Sequence, residues 1–274
     1  MRKHITILLG GLAAALFITA YYPALKILVF RWIDSPEYSH AFLTVPIILY
    51  MVYRKKDDIE TEPVQHAWLG LFLIGISIIL YLFSLFTEVR TFIAGAMYTT
   101  MVGVLIYLTG VRSIKILLTP LLLALMLIPI PEQLYPQLTF PLQLQVSKTT
   151  EFIVSHLGIP LLREGNVMNL PDHSFEVVEA CSGLRSVITL MTLSVILGYF
   201  SLKSPLKKIL LFATSIPTAI FVNIIRVSSM ILLYHYFKLD LTEGAWHTVT
   251  GLLIFSLALF TLFIIGKTLE QWER

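Results

Sequence analysis

Three short stretches of the chain hold side chains that can do chemistry together: Glu179-Ala180-Cys181-Ser182-Gly183-Leu184-Arg185-Ser186, Asn223-Ile224-Ile225-Arg226 and His247-Thr248-Val249-Thr250-Gly251. Cys181 is the one cysteine in the sequence, which excludes an intramolecular disulfide framework and a cysteine-rich metal site. A lone thiol in an apolar chain is either an inert filler or a nucleophile. The Ser, Gly, Arg and Glu around it make a polar pocket that a filler does not need. A thiol beside a helix N-terminus gains from the partial positive charge there, which favours thiolate. Ser182 or Ser186 can donate hydrogen bonds, and Gly183 lets a second backbone approach closely. Asn223 and Arg226, three residues apart, share one helix face. An arginine buried near mid-bilayer costs about 2.5–3.5 kcal/mol on insertion scales, so Arg226 is a functional candidate; the plainer alternative is an arginine snorkelling to headgroups, with Asn223 joining helices. His247 can accept or donate a proton, or can simply sit at an interface beside Trp246. Thiol, imidazole and guanidinium in one desolvated site are the parts required for cysteine acyl transfer.

The elements that must position these groups are membrane helices. Hydrophobic residues make up 57% and charged residues 14% of the 274 positions, with a mean hydropathy of +0.81, against about 45–50% and about 25% in ordinary globular chains. Too few polar side chains remain to cover a soluble surface, so the sequence predicts an all-α polytopic membrane protein. Crossings of about 20 apolar residues are expected at 5–25, 39–53, 67–86, 91–110, 114–130, 183–200, 207–235 and 247–267, eight transmembrane helices in all. The first follows Arg2-Lys3-His4 and resembles a signal peptide. Its long apolar run, without a small-residue cleavage site before Lys26, leads us to expect an uncleaved anchor.

Charge sets the expected orientation. A cytoplasmic N-terminus places Arg2, Lys3, Arg54, Lys55, Lys56, Arg112, Lys115, Lys203, Lys207, Lys208, Lys267 and Arg274 inside, twelve of the 20 Lys and Arg residues. Both termini are then cytoplasmic in an inner (cytoplasmic) membrane, and Cys181, Arg226 and His247 fall in the outer leaflet or at its surface. Clusters of basic residues between apolar runs, with a net charge of only +3, do not make a nucleic-acid footprint. The chain is expected to be a single integral membrane domain, 1–274, with an extracytoplasmic loop at 131–182 leading into Cys181. In that loop, residues 142–157 carry an apolar stripe of Leu142, Val146, Ile153 and Leu157 beside Gln143, Lys148 and Glu151, the pattern of an interfacial helix. Asn166 to Leu170, the turn at Pro171-Asp172-His173-Ser174 and Phe175 to Glu179 predict a short extracytoplasmic β-hairpin before the sixth span.

The three motifs, in this order on the last three spans, resemble the exosortase/archaeosortase family of membrane-embedded cysteine transpeptidases. That family's signatures are matched by Cys181-Ser182-Gly183, Asn223-Ile224-Ile225-Arg226 and His247-Thr248-Val249-Thr250-Gly251. The archaeal branch has arginine where His247 stands, so the similarity is to the bacterial, exosortase-like side. The resemblance implies cleavage of C-terminal sorting signals of the PEP-CTERM type on exported proteins, each signal a short Pro-containing motif, a transmembrane helix and a basic tail. It implies a thioester intermediate, with Cys181 as nucleophile, His247 as base and then acid, and Arg226 as oxyanion donor or substrate holder. Asn223 and Arg185 would tune that site, Glu179 would pair with an arginine, and no cofactor is implied. Membrane lipids and exported substrates are the expected partners.

The rival class is a multi-span transporter with an outer-facing polar site, since intramembrane Arg and Asn also mark substrate pathways. It predicts inverted repeats and midplane polar residues, and the sequence contains no repeat. His40, His66, His156 and His173 are too scattered to suggest a metal site.

Overall fold

The computed structural model describes residues 2–60, 67–87, 89–177, 183–241 and 244–273, and within its helices the side chains of 2–10, 60, 90, 244, 245 and 247 are left aside. The fold is mostly helical and divides into two compact units, Met1–Pro131 and Glu132–Arg274. Among the described residues five helices are long and apolar enough to cross a membrane, or six when one bent pair counts as a single span.

In the first unit, α1 (Arg2–Ala20) and α2 (Tyr22–Asp34) are that pair, bent by 68°. The expected span 5–25 runs across this bend. Its cause is Pro23, which lacks an N–H and clashes with the preceding turn, so the chain restarts at Tyr22 with proline in the first turn. The Tyr21 hydroxyl lies 2.6 Å from Thr100 Oγ1, which in turn lies 2.5 Å from Ser77 Oγ. The joint thereby docks on α5 (Trp68–Thr87) and α6 (Arg90–Thr109). Those two helices approach so closely that a Cβ at Gly70 would lie 2.5 Å from Gly103 O and from Tyr107 N. Small residues permit such contacts between membrane helices.

The expected spans 39–53 and 114–130 are shorter helices. The first is α3 (Ala41–Arg54), 14 residues with Pro46 inside it. Between them in sequence comes the short α4 (Lys56–Glu60). The second is α7 (Arg112–Ile116) and α8 (Leu118–Met126), interrupted at Leu117. Pro120 cannot donate back to Ile116, so the helix breaks where hydropathy alone runs on.

The second unit carries the site. Its α9 (Tyr135–His156) buries Thr139, Gln143, Val146, Ser147, Thr150 and Val154 along one face. This corrects the expected stripe: Val146 is inside, but Ile153 and Leu157 are exposed while Gln143 and Thr150 are buried. This face packs on α11 (Pro205–Phe237), where Val146 and Val154 share a core with Ile224, Val227 and Ile231, and Ser147 donates to Gly165 O at 3.1 Å.

After α9 comes an antiparallel sheet of three strands, β1 (Leu162–Glu164), β2 (Val167–Asn169) and β3 (Ser174–Glu176), in that order. The sequence suggests two strands here; the third is β1, joined to β2 through Gly165 at φ 67, the glycine-first pattern of a two-residue hairpin loop. Arg163 fastens β1 to α9, donating from Nε to Glu151 Oε2 at 2.7 Å and from Nη1 to Gly165 O at 2.8 Å. Met168, Phe175 and Val177 point inward onto Val146, Val154, Ile224, Val227 and Ile231.

Three long helices complete the unit: α10 (Leu184–Ser201), α11 and α12 (Gly244–Gln271). The 33 residues of α11 span roughly 50 Å at 1.5 Å per residue, and this helix packs on α9, α10 and α12. Val187, Leu190, Leu211, Ala219, Val222, Ala258 and Leu262 form the core between α10, α11 and α12.

The far end of this core is tied by Glu273, whose carboxylate accepts the N–H groups of Lys203 at 2.9 Å and Ser204 at 2.8 Å, just before α11 begins. These two donors, Lys203 first, hold the Glu273 carboxyl below the usual glutamate range. A depressed acid contributes above its unfolded value and loses that contribution as pH falls through the folded one. Glu273→Gln is therefore expected to lower the melting temperature of the detergent-solubilised protein at neutral pH, with the difference from wild type closing on acidification below the carboxylate range.

Candidate functional site

The start of α10 is shaped by Gly183, its N-cap, at φ 87. Left-handed backbone is costly for any residue with a Cβ. A second constraint falls on the same glycine. A Cβ there would lie 3.1 Å from Asn223 Nδ2, 3.3 Å from Asn223 Cγ and 3.4 Å from Asn223 Cβ. The backbone that follows the Cys181 segment thus rests directly on the Asn223 side chain, itself 3% exposed.

One turn further along α11, Arg226 lies on the same face. Its Nη2 is 3.9 Å from where a Cβ on Gly251 would stand, so the guanidinium reaches α12. The Asn-x-x-Arg face therefore bridges two neighbours, with Asn223 under the entry to α10 and Arg226 against α12. Residue by residue, the structure brings together Gly183, Asn223, Arg226 and Gly251. Arg185 stands in the first turn of α10, half-buried, and both Arg185 and Arg226 engage other groups. His247 lies in α12 one turn before Gly251, hence on the helix face that meets Arg226 by register; its side chain, like Glu179, Cys181 and Ser182, lies outside the described residues. Among the described residues no group of three or more His, Cys, Asp or Glu is placed to hold a metal ion.

The two glycines make opposite predictions. Gly183→Ala must adopt a strained backbone, costing about 1–2 kcal/mol, and must displace Asn223. Gly251→Ala meets Arg226 only at ordinary van der Waals distance. Gly183→Ala is therefore expected to lower the melting temperature of the detergent-solubilised protein measurably, whereas Gly251→Ala is expected to change stability by no more than about 0.5 kcal/mol. Thermal unfolding of the two purified variants beside wild type measures both.

Two groups in this unit carry no signal in the sequence. Thr150 on α9 and Ser228 on α11 bury hydroxyls that have no hydrogen-bond partner among the described residues. Sequence reasoning also set His173 aside as a turn residue, although the structure surrounds that ring with aromatic and charged groups.

The fold and this junction define a multi-pass membrane protein whose last three long helices share one buried polar junction. Residues 32–264, most of the chain, match the family model described as transmembrane exosortase (Exosortase_EpsH), and the chain belongs to that family. No curated protein and no solved structure matches it.

Proposed function

We propose that this exosortase is a cysteine transpeptidase that cleaves C-terminal sorting signals of the PEP-CTERM type from exported proteins. The observation that supports this reading is that the backbone at Gly183 abuts the Asn223 side chain while Arg226 Nη2 lies 3.9 Å from where a Cβ on Gly251 would stand. The start of α10, the Asn-x-x-Arg face and the helix bearing His247 are therefore neighbours.

The steps balance without a cofactor. The Cys181 thiol gives its proton to His247, and the sulfur attacks the scissile carbonyl carbon. The tetrahedral oxyanion accepts hydrogen bonds from the Arg226 guanidinium. As the C–N bond breaks, the His247 imidazolium returns the proton to the leaving amine, following the base-then-acid logic of catalytic triads, and a thioester remains on Cys181. An acceptor amine or water then attacks the thioester carbonyl and releases the thiol. Glu179, Ser182 and Arg185 flank this site and set the charge around the sulfur. The protein acts as one inner-membrane domain, with both termini cytoplasmic and the 131–182 loop and the site facing the cell exterior. A substrate helix in the same bilayer then presents its outer end at the height of Cys181.

The test is capture of the intermediate. Membranes holding the protein and a precursor ending in a Pro-containing motif, an apolar helix and a basic tail are treated with hydroxylamine. The expected result is an acyl adduct on the peptide containing Cys181 that hydroxylamine removes, as it does a thioester. Processing of the precursor with no adduct at Cys181 under single-turnover conditions defeats the proposal.

A further inference from the structure

The turn between β2 and β3 is pinned to the C-terminal end of α11 by groups that the reaction itself does not use. Asp172 and Lys238 form a hydrogen-bonded ion pair. The neighbouring His173 places Nε2 3.7 Å from Asp240 Oδ2. Its ring stacks on Tyr234 at 4.4 Å between centroids and 29° between planes, and meets Phe175 edge-on at 4.6 Å. Phe175 in turn stands edge-on to Tyr234 at 5.4 Å, and the Lys238 ammonium lies 5.1 Å from the centre of the Tyr234 ring.

Two features argue that this is more than a surface contact. Lys238 is the one non-glycine residue with positive φ among the described residues, at 53°, and it caps α11 with its N–H on Tyr234 O at 2.8 Å. A strained cap retained on a lysine, where its side chain reaches both Asp172 and Tyr234, points to a use for that side chain. The pair is also too exposed to add much stability, so what it contributes is geometry.

The geometry concerns the two segments it joins. Phe175 and Val177, anchored in the core, are six and four residues before Cys181; Leu241, also buried, is six residues before His247. We infer that Asp172, His173, Tyr234 and Lys238 form a clasp that sets the distance between the nucleophile-bearing and the base-bearing segments, making them positioning residues for transfer. This rests on the proposed cysteine chemistry.

Charge exchange tests it. Asp172→Lys, Lys238→Asp and the double exchange are compared with wild type and Cys181→Ala. The substrate is a synthetic precursor with a Pro-containing motif, an apolar helix and a basic tail, and equal amounts of folded protein are set by size-exclusion profile. Each single reversal is expected to lower kcat about tenfold, with KM within roughly twofold, and the double exchange to recover at least about half of wild-type kcat. His173→Phe, which keeps the stack, is expected to retain more activity than His173→Ala. Single reversals with wild-type kcat, or a double exchange no faster than the singles, overturn the clasp while loss of activity in Cys181→Ala still upholds the chemistry. Processing that survives Cys181→Ala overturns the chemistry and the clasp with it.

Discussion

Cys181→Ala and Cys181→Ser are both expected to leave the precursor of a matching sorting signal uncut, a loss of at least about 10³-fold in rate, since in the proposed mechanism the thiol is the nucleophile and its removal abolishes the covalent route altogether. The serine variant is the more informative. It differs from the native residue by one atom, so a structural role for a small side chain at this place survives the change. The chemistry does not: a hydroxyl is far less acidic than a thiol, and the partial positive charge of the α10 N-terminus does not bring it near ionisation at neutral pH. The measurement is an immunoblot of precursor and product from cells lacking other sortases, at matched membrane abundance. Normal processing by both variants removes Cys181 from the reaction. Normal processing by the serine variant alone makes the residue a space-filler with a hydrogen-bonding edge.

How much of this site the sequence reveals depends on what kind of constraint each residue obeys. Gly183 and Asn223 are legible because a glycine next to a polar motif, and an asparagine inside an apolar run, each need a reason; the structure supplies one reason for both, since a Cβ on Gly183 would come within 3.1 Å of Asn223 Nδ2. Hydropathy marks the crossings at α5, α6, α10, α11 and α12, each one unbroken helix, α11 staying helical through Pro217. It misleads where proline acts, at Pro23 and Pro120, because a window average does not register a missing N–H. It misleads again at α9, where leucine spacing points to one face and the packing selects another through Thr139, Ser147 and Thr150. Burial follows polarity poorly when the surroundings are themselves apolar. Strand β1 escapes notice because Leu162-Arg163-Glu164 has no alternation long enough to signal a strand; the Gly165 turn is its one trace. The clasp is the least legible of all. Asp172 and Lys238 are 66 residues apart, and only the docking of the sheet on α11 makes them neighbours.

Arg226 carries the second large effect. Its Nη2 lies 3.9 Å from where a Cβ on Gly251 of α12 would stand, with Asn223 one turn away on the same helix, so the group sits between α11 and α12 before any substrate arrives. A donor placed in advance stabilises developing charge without reorganising, and loss of one such donor typically costs about 10²–10³ in rate. Arg226→Ala and Arg226→Gln are therefore expected to lower kcat by about that factor with a smaller change in KM, as befits an interaction made mainly in the transition state. Arg226→Lys keeps the charge but loses the planar fork that serves the oxyanion in the proposed mechanism, so it is expected to recover only a small part of the rate. Asn223→Ala, which opens space beneath Gly183, should fall between wild type and Arg226→Lys. These rates come from the same precursor assay, run as single turnovers so that thioester formation is seen separately from its resolution. An Arg226→Gln protein that forms the thioester at the wild-type rate confines the arginine to holding helices together, and the oxyanion donor must then be sought among the backbone N–H groups at the start of α10.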